Sequence, residues 1–410
     1  MAAVAGTGSE IELGSAKRNV ALLTSAQAIL GSAPPVVFAL GGIAAYQMLG
    51  DDKGLATAPL TAFNVGVSGG AIAVAIIARL LGRQLGFIIG ACLTVIGGVV
   101  AMIALFQQSF WLLVAAFIIC GISGGFTQKI RFAAADASPP SYKASAISWI
   151  LAGGIISAVL GPQLALYSQN LFATAPFAGA FLMFVPLGLA AAAVMLFLRL
   201  PVLTDHAASG AEPARPLSEI VMKQRFLTGM FCGISSYSLM TFMMTGAPLA
   251  MVIECGFSND LSLWGIQLHV LGMFGPSFFT GRLINRFGAE KVVAVGLGIL
   301  MVCALVAHAG IALWNFWGAL ILLGIGWNFG FIGSTAIVAA SYRPSEADKV
   351  QGFNDIVLFS TVALSSFASG QVFSAYGWDA MILPLWPLAI TGLVLLFFLS
   401  RRKMAHGDLV

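Results

Sequence analysis

Gly281-Arg282-Leu283-Ile284-Asn285-Arg286-Phe287-Gly288 closes one long apolar run, residues 260–285, just before another begins at residues 290–311. Each run exceeds the roughly 20 apolar residues that cross a bilayer as a helix. A basic hairpin between two such runs is the pattern of a chain that threads a membrane repeatedly. Further out, the same alternation continues in both directions. It gives twelve spans: 19–49, 56–81, 85–106, 110–137, 143–170, 177–200, 224–252, 260–285, 290–311, 314–341, 346–375 and 379–400. Composition agrees. Hydrophobic residues are 59% of the 410 and charged residues 9%, against about 25% charged in soluble proteins. So few charges cannot clothe a water-soluble globule, and so much apolar mass excludes disorder.

The hairpin has a distant echo. Leu81-Gly82-Arg83-Gln84 follows the second span as Phe287-Gly288-Ala289-Glu290-Lys291 follows the eighth. Pro139-Pro140-Ser141-Tyr142-Lys143 and Arg343-Pro344-Ser345-Glu346 stand in the same relation, at an offset of about 204 residues. The chain therefore divides into a tail (1–18), a six-helix bundle (19–200), a polar linker (201–223), a second six-helix bundle (224–400) and a short tail (401–410). The fold class is all-α, with twelve membrane helices in two pseudo-symmetric halves and a solute site expected near the midplane.

With the N-terminus in the cytoplasm, 17 of the 20 basic residues fall on the inner side, only Lys53 outside, and Lys129 and Arg131 within the fourth span. This asymmetry predicts that both termini are cytoplasmic. The N-terminus has no cleavable signal, so the first span is expected to be retained. Five cysteines, an odd number without framework spacing, argue against a disulfide scaffold. Cys92, Cys120 and Cys303 read as packing residues. No phosphate-binding Gly-Lys-Ser/Thr loop and no catalytic Ser–His–Asp or Cys–His arrangement is visible, so an enzyme is not expected, and the net charge of +4 reflects this topology and gives no reason to expect a nucleic-acid partner.

Residues 281–288 resemble the loop signature of the major facilitator superfamily, in which Gly, Asp-Arg and Gly-Arg-Lys recur between the second and third helices of each half. Asn285 stands where an acid is usual, and Arg79-Leu80 replaces Asp-Arg in the first half. A narrower resemblance lies in spans 7 and 8. Met240-x-x-x-Met244 and His269-x-x-x-Met273, with Cys232 and Cys255 flanking the first motif, resemble the CcoA-type copper importers that supply cbb3-type cytochrome oxidase assembly in bacteria. That resemblance implies copper as cargo rather than cofactor, with Met240, Met244, His269 and Met273 as its ligands. It also implies inward transport across the bacterial inner membrane and a contribution from thiols, with no resident cofactor. A monomer is expected, partnered by lipid and by a cytoplasmic or periplasmic thiol or copper-handling protein.

The residues bear on this independently. A four-residue step puts Met240 over Met244, and His269 over Met273, on one helix face. Counting from the helix ends places the pairs about 24 Å and about 14 Å in, from opposite sides. Three thioethers and an imidazole suit Cu(I). Against this, Met is a common filler of apolar helices, and a mid-span His can be structural. Cys232 and Cys255, about 34 Å apart on a straight helix, cannot bridge each other; they are either relay thiols or inert. Arg131, Asp136 and Asp355 are candidates for coupling or gating, with a structural ion pair as the plainer reading. The alternative function is a carrier of a small organic solute or metal chelate in the same fold. A third is a non-transporting receptor on a retired carrier.

Overall fold

In the computed structural model the described residues are 3–50, 52–139, 141–200 and 215–405. Most of the expected linker, residues 201–214, and the end of the C-terminal tail lie outside them, as do His206 and His406. The described chain is helical throughout, and ten helices are long and apolar enough to cross a membrane. The two expected spans not among those ten are the eighth, which is broken, and the twelfth, whose apolar stretch Leu385–Arg401 is shorter.

The chain forms two compact units. The first comprises Met1–Leu203 with Asn259–Gln267, and the second Thr204–Ser258 with Leu268–Val410. In the first, the helices are α1 (Ala3–Leu30), α2 (Ala33–Met48), α3 (Ala58–Leu81), α4 (Arg83–Phe106), α5 (Phe110–Gln128), α6 (Ile130–Asp136), α7 (Lys143–Ser168), α8 (Ala178–Leu182) and α9 (Phe184–Leu196). The first span is two helices because Pro34 and Pro35 follow Gly31-Ser32 and cannot donate to the preceding turn. The tightest joint is α3 on α5. Gly66-x-x-x-Gly70 faces Gly121-x-x-x-Gly125, and the backbones touch: a Cβ at Gly66 would stand 2.3 Å from the Ile118 carbonyl oxygen, and one at Gly70 2.2 Å from that of Ile122. In lipid, where helices gain nothing from leaving water, such close backbone packing is what holds them together.

The second unit contains α10 (Leu217–Val221), α11 (Gln224–Leu249), α12 (Asn259–Phe274, shared with the first unit), α13 (Ser277–Phe287), α14 (Ala289–His308), α15 (Leu313–Ala339), α16 (Ala347–Ile382) and α17 (Leu385–Ala405). Pro248 does not end α11, which runs on into a π-helical turn, Ala250–Glu254. The α16 helix extends past the expected end at 375 and bends at Gly377, whose φ is 72°. The echo seen in the sequence has a backbone counterpart. Gly82 (φ 87°, ψ 155°) joins α3 to α4, and Gly288 (φ 88°, ψ 150°) joins α13 to α14. Only glycine adopts that region at low cost, so each hairpin needs its glycine.

The outer surface carries Leu80, Trp111, Phe197, Trp314 and Leu364, each more than two-thirds exposed. Apolar side chains at that density are stable outward only where the solvent is lipid. Cys92 is one of them. It is exposed rather than packed, a correction to the sequence reading, while Cys120 and Cys303 are buried as expected. An apolar thiol on α4 costs nothing facing hydrocarbon.

Candidate functional site

The polar and aromatic side chains that could hold a solute gather in the second unit, where α11 packs against α15, α16 and α17. Trp327 and Phe331, one turn apart on α15, are stacked at 5.3 Å with their planes 18° apart. Tyr237 of α11 meets both edge-on, at 5.5 and 5.0 Å, and also meets Phe359 of α16 at 6.0 Å. Tyr237, Phe331 and Phe359 keep part of their surface open, and Trp327 is buried. The same three helices carry unmet hydrogen-bonding groups. Trp327 Nε1 and the hydroxyls of Ser235, Ser236, Ser238 and Ser366 are buried without a partner among the described residues. Such groups cost free energy in an apolar interior unless something completes them. A wall of parallel and perpendicular rings with unmet donors suits a flat heterocycle with a polar rim.

The next residue of α15 does different work. Asn328 is fully buried, and its Nδ2 donates to the Met273 carbonyl oxygen (2.6 Å) and to Ser277 Oγ (2.7 Å). Its Oδ1 accepts from Thr280 Oγ1 at 2.6 Å. Met273 lies in the last turn of α12, and Pro276, having no N–H, forces the break before α13. The break frees the Met273 carbonyl, and Asn328 satisfies it. Gly272 and Gly324 let the two helices approach closely enough for this.

His269 is fully buried on α12. Its Nδ1 lies 2.8 Å from the Leu320 carbonyl oxygen. A carbonyl can only accept, so the proton is on Nδ1 and Nε2 carries a lone pair, which has no partner. Met273 is buried one turn away. Met240 and Met244 are buried on α11. Each i, i+4 pair lies on one helix, Met240 and Met244 on α11 and His269 and Met273 on α12, and both helices pack against α15. Among the described residues no group of three or more His, Cys, Asp or Glu is placed to hold a metal.

Cys232 is buried, with Sγ 3.8 Å from the Gly392 carbonyl oxygen. Cys255, beyond the π turn, is partly open, and both thiols are free. Asp136 pairs with Arg83 at 3.0 Å, joining α6 to the start of α4. Arg131 lies over the Phe132 ring at 4.8 Å in the first unit, and Asp355 is half-buried on α16 in the second.

Sequence reasoning missed the rings and Asn328. The signals were present: Trp327 and Phe331 have the four-residue spacing already used for methionine, and Asn328 interrupts an apolar run.

Comparison with known proteins places this architecture. The sequence model of the Major Facilitator Superfamily matches residues 20–357 and 268–408. The chain belongs to the Major Facilitator Superfamily. It is therefore a multi-pass membrane transporter rather than an enzyme. Among superfamily members it is 42% identical to the riboflavin transporter RfnT of Brucella anthropi, over 96% of this chain and 98% of that protein. It is 28% identical to the uncharacterized MFS-type transporter YddS of Bacillus subtilis, over 87% of this chain and 85% of that one. Two solved superfamily structures share the fold. The fucose:proton symporter FucP of E. coli aligns with a TM-score of 0.60 at 17% identity, covering 92% of this chain and 98% of its own. The nucleoside transporter NupG aligns with 0.67 at 13% identity, covering 93% and 99%.

Proposed function

We propose that this protein carries riboflavin, or a flavin close to it, across the bacterial inner membrane by alternating access. The observation that carries the reading is the 42% identity to a riboflavin transporter along essentially the whole of both chains. The ring wall supports it. An isoalloxazine is a flat aromatic tricycle with hydrogen-bonding groups along one edge, and Trp327, Phe331 and Tyr237 form an aromatic cluster on helices that also carry unmet donors. Stacking on such faces contributes on the order of 1–3 kcal/mol per base in nucleic-acid systems. The carrier works without a resident cofactor, as a monomer, with both termini cytoplasmic as the basic residues indicate.

The organic-solute reading is thus better supported than copper import into the cytoplasm for oxidase assembly. One observation favours copper as a second reading. His269 has its Nδ1 fixed by a carbonyl and its Nε2 lone pair free, the orientation of a metal-ligating imidazole. In that reading Met240, Met244 and Met273 complete the ligand set, and Cys232 or Cys255 passes the ion to a thiol partner. The two separate in cells that can neither make nor import riboflavin. Expression of the chain restores growth on micromolar riboflavin and drives uptake of labelled riboflavin but not of radioactive copper. Copper uptake without riboflavin uptake would reverse the assignment.

A further inference from the structure

A second site lies in the same unit, where α11 begins. A cavity of about 350 Å³ is lined by Arg215, Lys223, Arg225, Ser341, Tyr342 and Arg343. Three arginines and a lysine face one space, and no carboxylate is among the lining residues. Two acids stand behind it. Glu346 is fully buried and accepts from the Arg215 backbone N–H, Arg215 Nε and Nη2, and the Arg343 backbone N–H. Its oxygens are thereby saturated by the 215 and 343 segments. Glu290 pairs with Arg225 Nη2 at 3.7 Å, while Arg225 Nε is buried without a partner among the described residues. Lys223 is exposed and makes no ion pair among the described residues. The cavity thus gathers four basic side chains against two acids, and among the described residues Lys223 makes no ion pair and Arg225 Nε has no partner.

We infer that this cavity binds a phosphate group, with Arg225 and Lys223 as its principal ligands. The guanidinium fork matches phosphate oxygens, and cations arriving from separate segments suit a group with three or more oxygens better than a carboxylate with two. Lys223 and Arg225 flank the first residue of a membrane-crossing helix, the depth at which basic pockets meet lipid headgroups. A lipid phosphodiester and a soluble phosphate share this chemistry.

The test has two arms on the full chain. Thermal unfolding in neutral detergent is titrated with inorganic phosphate at constant ionic strength. Native mass spectrometry then follows release from nanodiscs that mix phosphatidylglycerol with a phosphate-free diglycosyl diacylglycerol. The comparison is between wild type, Lys223→Gln, the double variant Lys223→Gln/Arg225→Gln, and Lys143→Gln/Arg282→Gln, which removes two exposed charges elsewhere. Saturable stabilisation by phosphate identifies a soluble source, and selective retention of phosphatidylglycerol identifies a lipid. In either arm the double variant is expected to bind at least about tenfold more weakly, given charge-assisted contacts. Lys223→Gln, at an exposed position, should fall between the double variant and wild type, and the Lys143/Arg282 control should match wild type. No saturable binding in either arm, or equal loss in the control, would overturn the inference.

Discussion

Replacing Gly66 by alanine tests whether backbone contact holds the first unit together. On an isolated helix the change should help, since glycine costs about 0.5–1 kcal/mol relative to alanine. Here the new methyl carbon would stand 2.3 Å from the Ile118 carbonyl oxygen and 3.0 Å from the Gly121 Cα. Ordinary contact begins near 3.4 Å, so α3 and α5 must separate by about 1 Å or bend. Overpacking of this kind costs about 1–3 kcal/mol. Gly69, on the same helix, provides the control: nothing lies within 4 Å of a Cβ built there. Gly69→Ala should therefore raise stability slightly, and since the helix-propensity gain is common to both, the two variants should differ by the overpacking cost of about 1–3 kcal/mol. Reversible unfolding in mixed micelles, followed by tryptophan fluorescence, measures the difference. Equal shifts for the two variants, or a more stable Gly66→Ala, would refute the reasoning.

Other outcomes follow from the second unit and from the ion pairs. Trp327→Phe keeps a ring but removes the Nε1 donor, so the KM for riboflavin uptake should rise about two- to tenfold, and Trp327→Ala should raise it further; wild-type KM in both variants would remove Trp327 from the site. Asn328→Leu leaves the Met273 carbonyl and Thr280 with fewer partners and should destabilise by about 2–4 kcal/mol, read as a lower unfolding midpoint. Arg83→Gln and Asp136→Asn should have similar small effects singly and little further effect combined, as a half-exposed pair contributes at most about 1 kcal/mol; fully additive losses in the double variant would show that the two do not act as a pair. Glu346 lies outside the membrane spans, and the Arg215 guanidinium, helped by the Arg343 and Arg215 backbone N–H groups, holds its carboxyl well below the usual range. Its contribution is full above the ordinary glutamate value of about 4.3 and is lost as pH falls toward its own lower value. Glu346→Gln should therefore lower stability at neutral pH and flatten the acid side of the profile, and an unchanged profile would count against the pair.

How much of this was legible in the sequence depends on the distance over which each signal acts. The spans were legible because lipid imposes one requirement, apolarity, on some 20 consecutive residues at a time. The hairpin glycines were legible because a positive φ at Gly82 and Gly288 is a demand on one residue. The broken eighth span was half legible: Pro276 marks it, but Asn328, which satisfies the break, is 52 positions further along the chain. The ring wall was hidden for the same reason. Tyr237, Trp327, Phe331 and Phe359 come from three helices, and no local period unites them. Methionine and histidine drew attention because they are chemically unusual in lipid, whereas aromatic residues are common there and look like packing.

Trp327 and Asn328 are consecutive residues, about 100° apart around α15. One belongs to the ring wall and the other closes the gap between α12 and α13. If the proposed cargo rests on the indole, it bears on the residue next to the one whose carboxamide closes the α12–α13 gap. In that reading α15 would serve as a rocker arm, with its load and its latch on neighbouring teeth. Variants that loosen the latch without touching the rings should change how fast the carrier turns over before they change how tightly it grips.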